Sequence, residues 1–479
     1  MPAKKLVLTY VDSLRTDMLE EAVDAGRAPT FGALLERGVL VPDCVSSFPS
    51  VTPVASAEIV TGVAADRHWI SGMNWYHRLE RRYVEYGSSL EATRTVGVFR
   101  ALYDLVYNMN LAHLNPEAET LFERLDDAGV RTASTSFLIY RGRHRHPFSL
   151  EGLLRRAVET TRLKFRHHTW GPAELFYGEL YASSEVPCKP TSIPGNRDEY
   201  SACCVAELER RDAYDFLLFS LPDNDNYSHR HGPEASVESI AKADRCFAEL
   251  VEAAGGMEAF LEDHAVILLA DHAQTEVDRG LPLAELLGRE WTVLQPSEDR
   301  PERAQLAVSP TGRAAHVYLL PGDGVRAKHP DVRAALAAIE GIDIVCWLED
   351  DTAVVERNGT QLRFRTGGKH IDLRGIGWHL DGDSNMLPPA EYPDPYSRVH
   401  AALTAPNAGD FIVSLTPGYE AVDWGGVSHA AGGSHGSLHA GDSLGPLLFV
   451  GCGPERADER PQWALRDVAP VVLEHFGIE

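Results

Sequence analysis

The chain has 479 residues, 44% hydrophobic and 24% charged, and its 70 acidic against 45 basic side chains leave a formal charge of −25. That composition belongs to a globular protein with a sizeable core and excludes disordered or collagen-like chains. The negative balance opposes binding along a nucleic-acid polymer, although a small anion can still bind where metal ions reverse the local field.

At the N-terminus, Lys4 and Lys5 lead into a short apolar run, Leu6–Val11, that stops at Asp12. It is shorter than the roughly 7–15-residue core of a secretion signal and has no small-residue cleavage site behind it, so a cytoplasmic protein is expected. The run reads as a buried strand. A helical pattern over Thr30–Arg37 follows, then the hydroxyl-rich stretch Ser47–Gly62, where Thr52 precedes Pro53 at the start of a short helix. Glu117–Ala128 is a further helical pattern closed by Gly129. Tyr214–Leu221 is a strand-like run ending in Pro222, Asp223, Asn224 and Asp225, and a helical pattern covers Glu234–Ala254. Ala265–Ala270 ends in Asp271 and His272, Pro446–Val450 ends in Gly451, and Leu465–Phe476 is again helical. This alternation predicts an α/β fold, a mostly parallel central sheet with helices on both faces.

Two stretches break the rhythm. Residues of about 75–200 are aromatic and carry basic patches at Arg141–His146 and Arg162–His168. Residues of about 290–400 hold strand-like runs, Asp343–Leu348, Thr352–Glu356 and Gln361–Arg365, and a proline-rich passage, Pro388–Pro395. Both read as insertions capping a single domain of residues 1–479, and each basic patch reads equally well as solvated surface. No apolar run approaches the roughly 18 residues of a membrane span, so no membrane contact is expected. The seven cysteines, at 44, 188, 203, 204, 246, 346 and 452, are scattered and odd in number. Reduced, structural thiols are expected.

In open α/β sheets, ligands bind beyond the carboxyl ends of the strands. Three of the strand-like runs deliver acids or imidazoles there: Asp12, Asp225 with His229, and Asp271 with His272. Asp263 and His264 precede their strand, and extended chain of about 26 Å separates them from the pair that follows it. A glycine-rich loop adds His435. Zinc takes imidazole nitrogen and carboxylate oxygen, usually about four ligands per ion, so three Asp, three His and a threonine oxygen suit two ions. Thr52 alone has a plainer reading as a helix cap, and its helix N-terminus also favours an anion.

Taken together, Val11–Asp17, Ala28–Gly38, Phe48–Thr52, Val60–Gly62, His68–Asn74, Asp225–Pro233, Ala270–His272 and Ser434–Gly436 resemble the alkaline phosphatase superfamily. Within it, the resemblance is to the type I phosphodiesterase/nucleotide pyrophosphatase branch. It implies a metal-dependent phosphoester hydrolase, most like a phosphodiesterase, acting on a small anionic phosphoester. Asp225, His229 and His435 would hold one divalent ion. Asp12, Asp271, His272 and the Thr52 oxygen would hold the other. Zinc is favoured, with manganese or iron as alternatives. Thr52 would attack phosphorus and form a phosphothreonine, and Asn74 would donate to a non-bridging phosphoryl oxygen. The family spacing Asp-x-x-x-His favours Asp225 over Asp223. Asp17, His231, His429 and His439 are read as structural or supporting residues.

Rival readings share or replace this site. Phosphomonoesterase and phosphonate hydrolase activities would use the same residues. A serine esterase would use Gly432–Gly436 as a G-x-S-x-G elbow, with Ser434, Asp442 and His475. A non-catalytic binding protein would keep the fold alone. Trp75, Tyr76, Tyr103 and Tyr107 offer faces for a flat leaving group or, more plainly, core packing.

Overall fold

The computed structural model describes residues 3–148, 168–298 and 300–478. Its centre is an eight-stranded sheet. In chain order the strands are β1 (Lys5–Val11), β2 (Val39–Val45), β3 (Thr132–Thr135), β4 (Glu174–Tyr177), β5 (Tyr181–Ala182), β6 (Phe216–Leu221), β7 (His264–Leu269) and β8 (Leu444–Val450). They lie in the order β2-β8-β7-β1-β6-β3-β4-β5. β1 is parallel to β6 and β7, β6 to β3, and β3 to β4. β8 runs antiparallel to both β2 and β7, and β5 antiparallel to β4.

β1 shows why such strands read as unbroken apolar runs. Leu6, Leu8 and Tyr10 enter one core and Val7 and Val11 the other, so both faces are buried. The helices are α1 (Thr16–Asp24), α2 (Pro29–Leu35), α3 (Thr52–Thr61), α4 (Leu121–Asp127), α5 (Arg197–Arg210), α6 (Asp223–His231), α7 (Val237–Ala253), α8 (Met257–Asp263) and α9 (Val468–His475). α3, α4 and α9 pack into the first core; α1, α2, α5, α7 and α8 pack into the second. α4 starts at a capping box made by Thr120 and Glu123, which satisfies two free backbone donors and sets its first turn later than periodicity alone predicts.

The expected sheet is present, with two differences. β8 is antiparallel, so Gly451 after it lies at the opposite edge from the ends of the parallel strands. The stretch of about 75–200 also contributes β3, β4 and β5 to the central sheet. The later stretch forms most of a seven-stranded antiparallel sheet, from Leu306–Thr311 through Gly377–Gly382, joined by Phe411–Leu415. In the first basic patch Arg143, His144 and Arg145 are exposed, while Arg141 and His146 are buried. Arg141 is buried against Glu123, and Arg143 pairs with Glu119, Glu123 and Asp127 of the chain around α4. Of the second patch, only His168 lies within the described residues. The expectation of reduced thiols fails for one pair. Cys188 and Cys203 form a disulfide across a Cα separation of 5.8 Å, because the fold brings together positions whose sequence spacing signals nothing. Cys44, Cys204, Cys246, Cys346 and Cys452 are free.

His316, in the antiparallel sheet, ties that sheet to the loop before residue 74. Its Nε2 donates to the Ser71 carbonyl at 2.9 Å, and its Nδ1 accepts from the Gly409 amide at 3.2 Å. The ring is therefore neutral, and burial lowers its pKa to about 4. An unfolded histidine titrates near 6.5, so this contribution to stability is full above that pH and is lost as pH falls toward the folded value. The stability deficit of His316→Gln, measured by urea unfolding at about pH 7 and about pH 4.5, is expected to shrink by about 2–3 kcal/mol on acidification. An unchanged deficit would show that the folded ring takes up its proton over the same pH range as the unfolded one.

Candidate active site

Five adjacent strands feed one edge of the sheet. Asp12 follows β1, Asp225 and His229 lie on α6 just after β6, and Asp271 and His272 follow β7. β2 ends in the segment leading to Thr52, the first residue of α3. Because β8 is antiparallel, the residues before it face this edge, and that segment carries His435.

The three histidines present the same nitrogen inward. His229 Nδ1 donates to the Gly433 carbonyl at 2.7 Å, His435 Nδ1 to Ser50 at 2.8 Å, and His272 Nδ1 to Ala273 at 3.2 Å. A carbonyl only accepts, so the proton sits on Nδ1. Burial lowers each ring's pKa to about 4, so near neutral pH each Nε2 is a bare lone pair. Those lone pairs face carboxylates, which are also acceptors. His229 and His435 Nε2 lie 3.3 and 3.6 Å from Asp225 Oδ1. His272 Nε2 lies 3.1 Å from Asp271 Oδ2 and 4.0 Å from Asp12 Oδ1. The His272 and His435 rings stack at 3.7 Å.

Such a ring of acceptors suits a cation at its centre. Asp12 Oδ1 and Asp271 Oδ2 are buried without a hydrogen-bond partner. Burial raises the pKa of Asp12 well above the usual carboxylate range, helped by Asp271 and Asp225, and raises Asp271 to about 6. Two donor sets, Asp225/His272/His435 and Asp12/Asp271/His272, each have ligand atoms within 4.8 Å of one another. The chemistry of the donors and their unpaired oxygens fit metal ions.

Thr52 does not cap its own helix. The N-cap position is Val51, with no side-chain cap bond, and Thr52 Oγ1 lies 3.4 Å from His272 Nε2. Asp223 faces elsewhere: it accepts from the Gly195 amide at 2.8 Å and Arg197 Nε at 3.0 Å, with Lys242 at 3.2 Å. Asn74 opens a hairpin strand, is fully buried, and neither its amide nitrogen nor its oxygen has a hydrogen-bond partner. Asp17 pairs with Arg15 at the surface, and His231 packs on Tyr227. His439 lies 3.1 Å from Asp343, and His429 stacks on His229 at 4.0 Å while bonding Glu420. His264 sits at the opposite edge with Glu209. Trp75, Tyr76 and Tyr107 are core residues.

The serine-esterase residues do not form a relay. Ser434 donates to Glu420 at 2.6 Å, Asp442 is held by Arg313, Thr275 and Ser437, and His475 bonds the Lys4 carbonyl. A catalytic triad needs each member within hydrogen-bond reach of the next.

Sequence reading missed the residues that brace the acids. Ser13 adopts a left-handed backbone (φ 58°), a conformation that costs about 1 kcal/mol or more for a residue with a Cβ. There its amide donates to Asp271 at 3.2 Å and its hydroxyl to Asp225 at 2.7 Å. Gln274 Nε2 donates to Asp225 at 2.6 Å. The only sequence signal for either is adjacency to a predicted ligand.

The sequence model of the family described as Type I phosphodiesterase / nucleotide pyrophosphatase matches residues 6–438. No curated protein matches the chain. Among solved structures, phosphonoacetate hydrolase from Sinorhizobium meliloti 1021, in complex with phosphonoacetate, is similar with a TM-score of 0.58 at 17% identity, covering 100% of this chain and 96% of that one. Human ectonucleotide pyrophosphatase/phosphodiesterase 5 gives 0.58 at 14% identity, covering 99% and 96%. An inactive threonine-to-alanine variant of the murine protein, in complex with AMP, gives 0.56 at 13% identity, covering 99% and 96%. No helix among the described residues is long and apolar enough to cross a membrane.

Proposed function

The chain belongs to the type I phosphodiesterase/nucleotide pyrophosphatase family and is a phosphoester hydrolase, and from that premise we propose a two-metal phosphodiesterase with Thr52 as nucleophile. The observation that carries this reading is the ring of carboxylates and imidazole lone pairs beside the Thr52 hydroxyl, in which Asp12 Oδ1 and Asp271 Oδ2 are buried with no hydrogen-bond partner among the described residues. Asp225, His229 and His435 would hold one ion and Asp12, Asp271, His272 and the Thr52 oxygen the other. When bound, the pair supplies positive charge that lowers the pKa of a hydroxyl or water and offsets charge on phosphoryl oxygens. With imidazole making half of the donors outside Thr52, zinc is favoured, and manganese or iron also suits a mixed nitrogen and oxygen set.

In this reading Thr52 gives up its proton to solvent and its Oγ1 attacks phosphorus. The bond to one ester oxygen breaks, that oxygen leaves as the alcohol after taking a proton, and the phosphoryl group with its remaining ester stays on Thr52. Asn74, buried with an unpartnered amide, donates to a non-bridging oxygen as negative charge grows there. Water then cleaves the bond between phosphorus and Oγ1. The inactive threonine-to-alanine neighbour that holds AMP agrees with a threonine-dependent reaction on a phosphoester. The insertions would shape the leaving-group side: Met73, beside Asn74, donates to Thr311 at 3.1 Å, and Arg313 donates to the His435 carbonyl at 2.6 Å.

Two inversions cancel, so a P-chiral phosphorothioate diester hydrolysed in isotopically labelled water is expected to give product of retained configuration, read by phosphorus NMR; net inversion would exclude a covalent intermediate. The wider test combines elemental analysis with a panel of phosphodiester, phosphomonoester, phosphonate and sulfate ester. Fastest turnover is expected on the diester, lost on chelation and restored by zinc, manganese or iron. Chelator-insensitive ester hydrolysis that disappears in Ser434→Ala would overturn the reading.

A further inference from the structure

We propose that Arg398 is a positioning residue for this reaction, fixing the segment that carries Thr52 against the segment that carries His435; the inference rests on the roles given to those two residues above. Arg398 lies on the helix Pro395–Thr404, outside the central sheet, and is 3% exposed. Among the described residues its guanidinium makes no hydrogen bond to a carboxylate, although Asp394, Glu58 and Asp442 lie near enough to favour its charge. Nε and Nη2 donate to the Ser47 carbonyl at 3.3 and 2.8 Å, Nη1 to the Leu438 and Pro393 carbonyls at 3.0 Å each, and Nη2 to Ser443 Oγ at 2.6 Å. The planar fork thus joins Ser47, five residues before Thr52, to Leu438, three after His435.

The two segments are also stitched directly. The Ser46 amide donates to the Ser443 carbonyl at 2.8 Å, the Ser50 hydroxyl to Ser437 at 3.0 Å, and the Gly436 amide to the Ser50 hydroxyl at 3.1 Å. His435 Nδ1 donates to the Ser50 carbonyl at 2.8 Å, so the same seam that orients Thr52 sets which nitrogen His435 turns inward. Burying a guanidinium opposes its charge, a cost an apolar side chain of similar volume would avoid. What an apolar side chain cannot supply is a rigid set of donors aimed at two loops at once. Lysine cannot supply it either, because its ammonium is a point charge without the fork.

The test compares wild type, Arg398→Lys, Arg398→Met and Thr52→Ala on one phosphodiester, with melting curves and the visible spectrum of each cobalt-loaded protein. For both Arg398 variants kcat is expected to fall about 100-fold with KM near the wild-type value, the scale of a misplacement of about 1 Å at a reacting group. The cobalt bands are expected to shift because His435 changes its place. Arg398 variants with kcat within about threefold of wild type (under about 1 kcal/mol) and an unshifted spectrum would overturn the assignment. So would a loss of kcat that vanishes when the assay is run well below the variant's melting temperature. If Arg398→Met does not fold, Arg398→Lys decides by the same readings. Full turnover by Thr52→Ala would remove the nucleophile reading by itself, while the spectra and the Arg398 kinetics would still decide the clamp.

Discussion

Thr52→Ala is expected to lower phosphodiester turnover by about 10⁴-fold or more, the scale on which an enzyme loses its nucleophile. Thr52 makes no cap bond in α3, and among the described residues its hydroxyl meets His272. Losing the hydroxyl therefore removes chemistry and leaves the helix, so melting of the metal-free variant is expected to stay close to wild type. Asp12, Asp271 and His272 remain to hold an ion, which predicts that metal content by elemental analysis changes far less than kcat. Rapid quenching of the wild-type reaction should yield a peptide carrying on Thr52 the phosphoryl group with its retained ester, absent from the variant. Wild-type turnover in Thr52→Ala would assign the attack to another group, and water alone would then be the nucleophile to test.

The second large effect is expected from Asp271→Asn, and it changes sign with metal. Asp271 accepts from the Ser13 and His272 amides through one oxygen and leaves the other unpaired beside His272 and Asp12. Burial raises its pKa to about 6 in the folded chain, above an unfolded value near 3.9. Its favourable contribution is therefore full below the unfolded value and lost as pH rises through the folded one. Near neutral pH the metal-free wild type carries that penalty, about 3 kcal/mol, and the amide does not. Metal-free Asp271→Asn is expected to melt above metal-free wild type near pH 7, with the advantage gone by about pH 4. Saturating zinc should reverse the order, because binding at about a thousand times Kd stabilises the wild type by about 4 kcal/mol and the variant binds more weakly. Turnover is expected to fall about 10²- to 10³-fold. A variant that stays the more stable of the two in saturating zinc would show that Asp271 does not hold an ion.

Much of this site could be read in the chain because strand ends obey a local rule. Asp12, Asp225 and Asp271 each follow a run of residues buried on both faces, and that pattern is visible without tertiary knowledge. The direction of β8 was not visible, since an apolar run carries no polarity; yet that direction is what brings His435 to the edge from the front of its strand. β3 to β5 were hidden in a stretch whose strands are four residues or fewer, too short for periodicity to register. Ser13, Ser50 and Arg398 act through contacts across more than 200 residues of sequence, and Gln274 through one across 49. Such pairs leave no local trace. The disulfide joins positions 15 apart, a spacing that carries no signal, and the ion pairs of the first basic patch were hidden because acidic partners lie on α4.

The bond between His435 and Ser50 spans 385 positions of the chain. During synthesis, the segment bearing Thr52 leaves the ribosome long before its companion, and at roughly 5–20 residues per second the wait is about 20–80 seconds. Through that interval the carboxylates after β1 and β6 are made while the last imidazole is still unwritten. The seam between the Thr52 segment and the His435 segment therefore cannot close until His435 has been made.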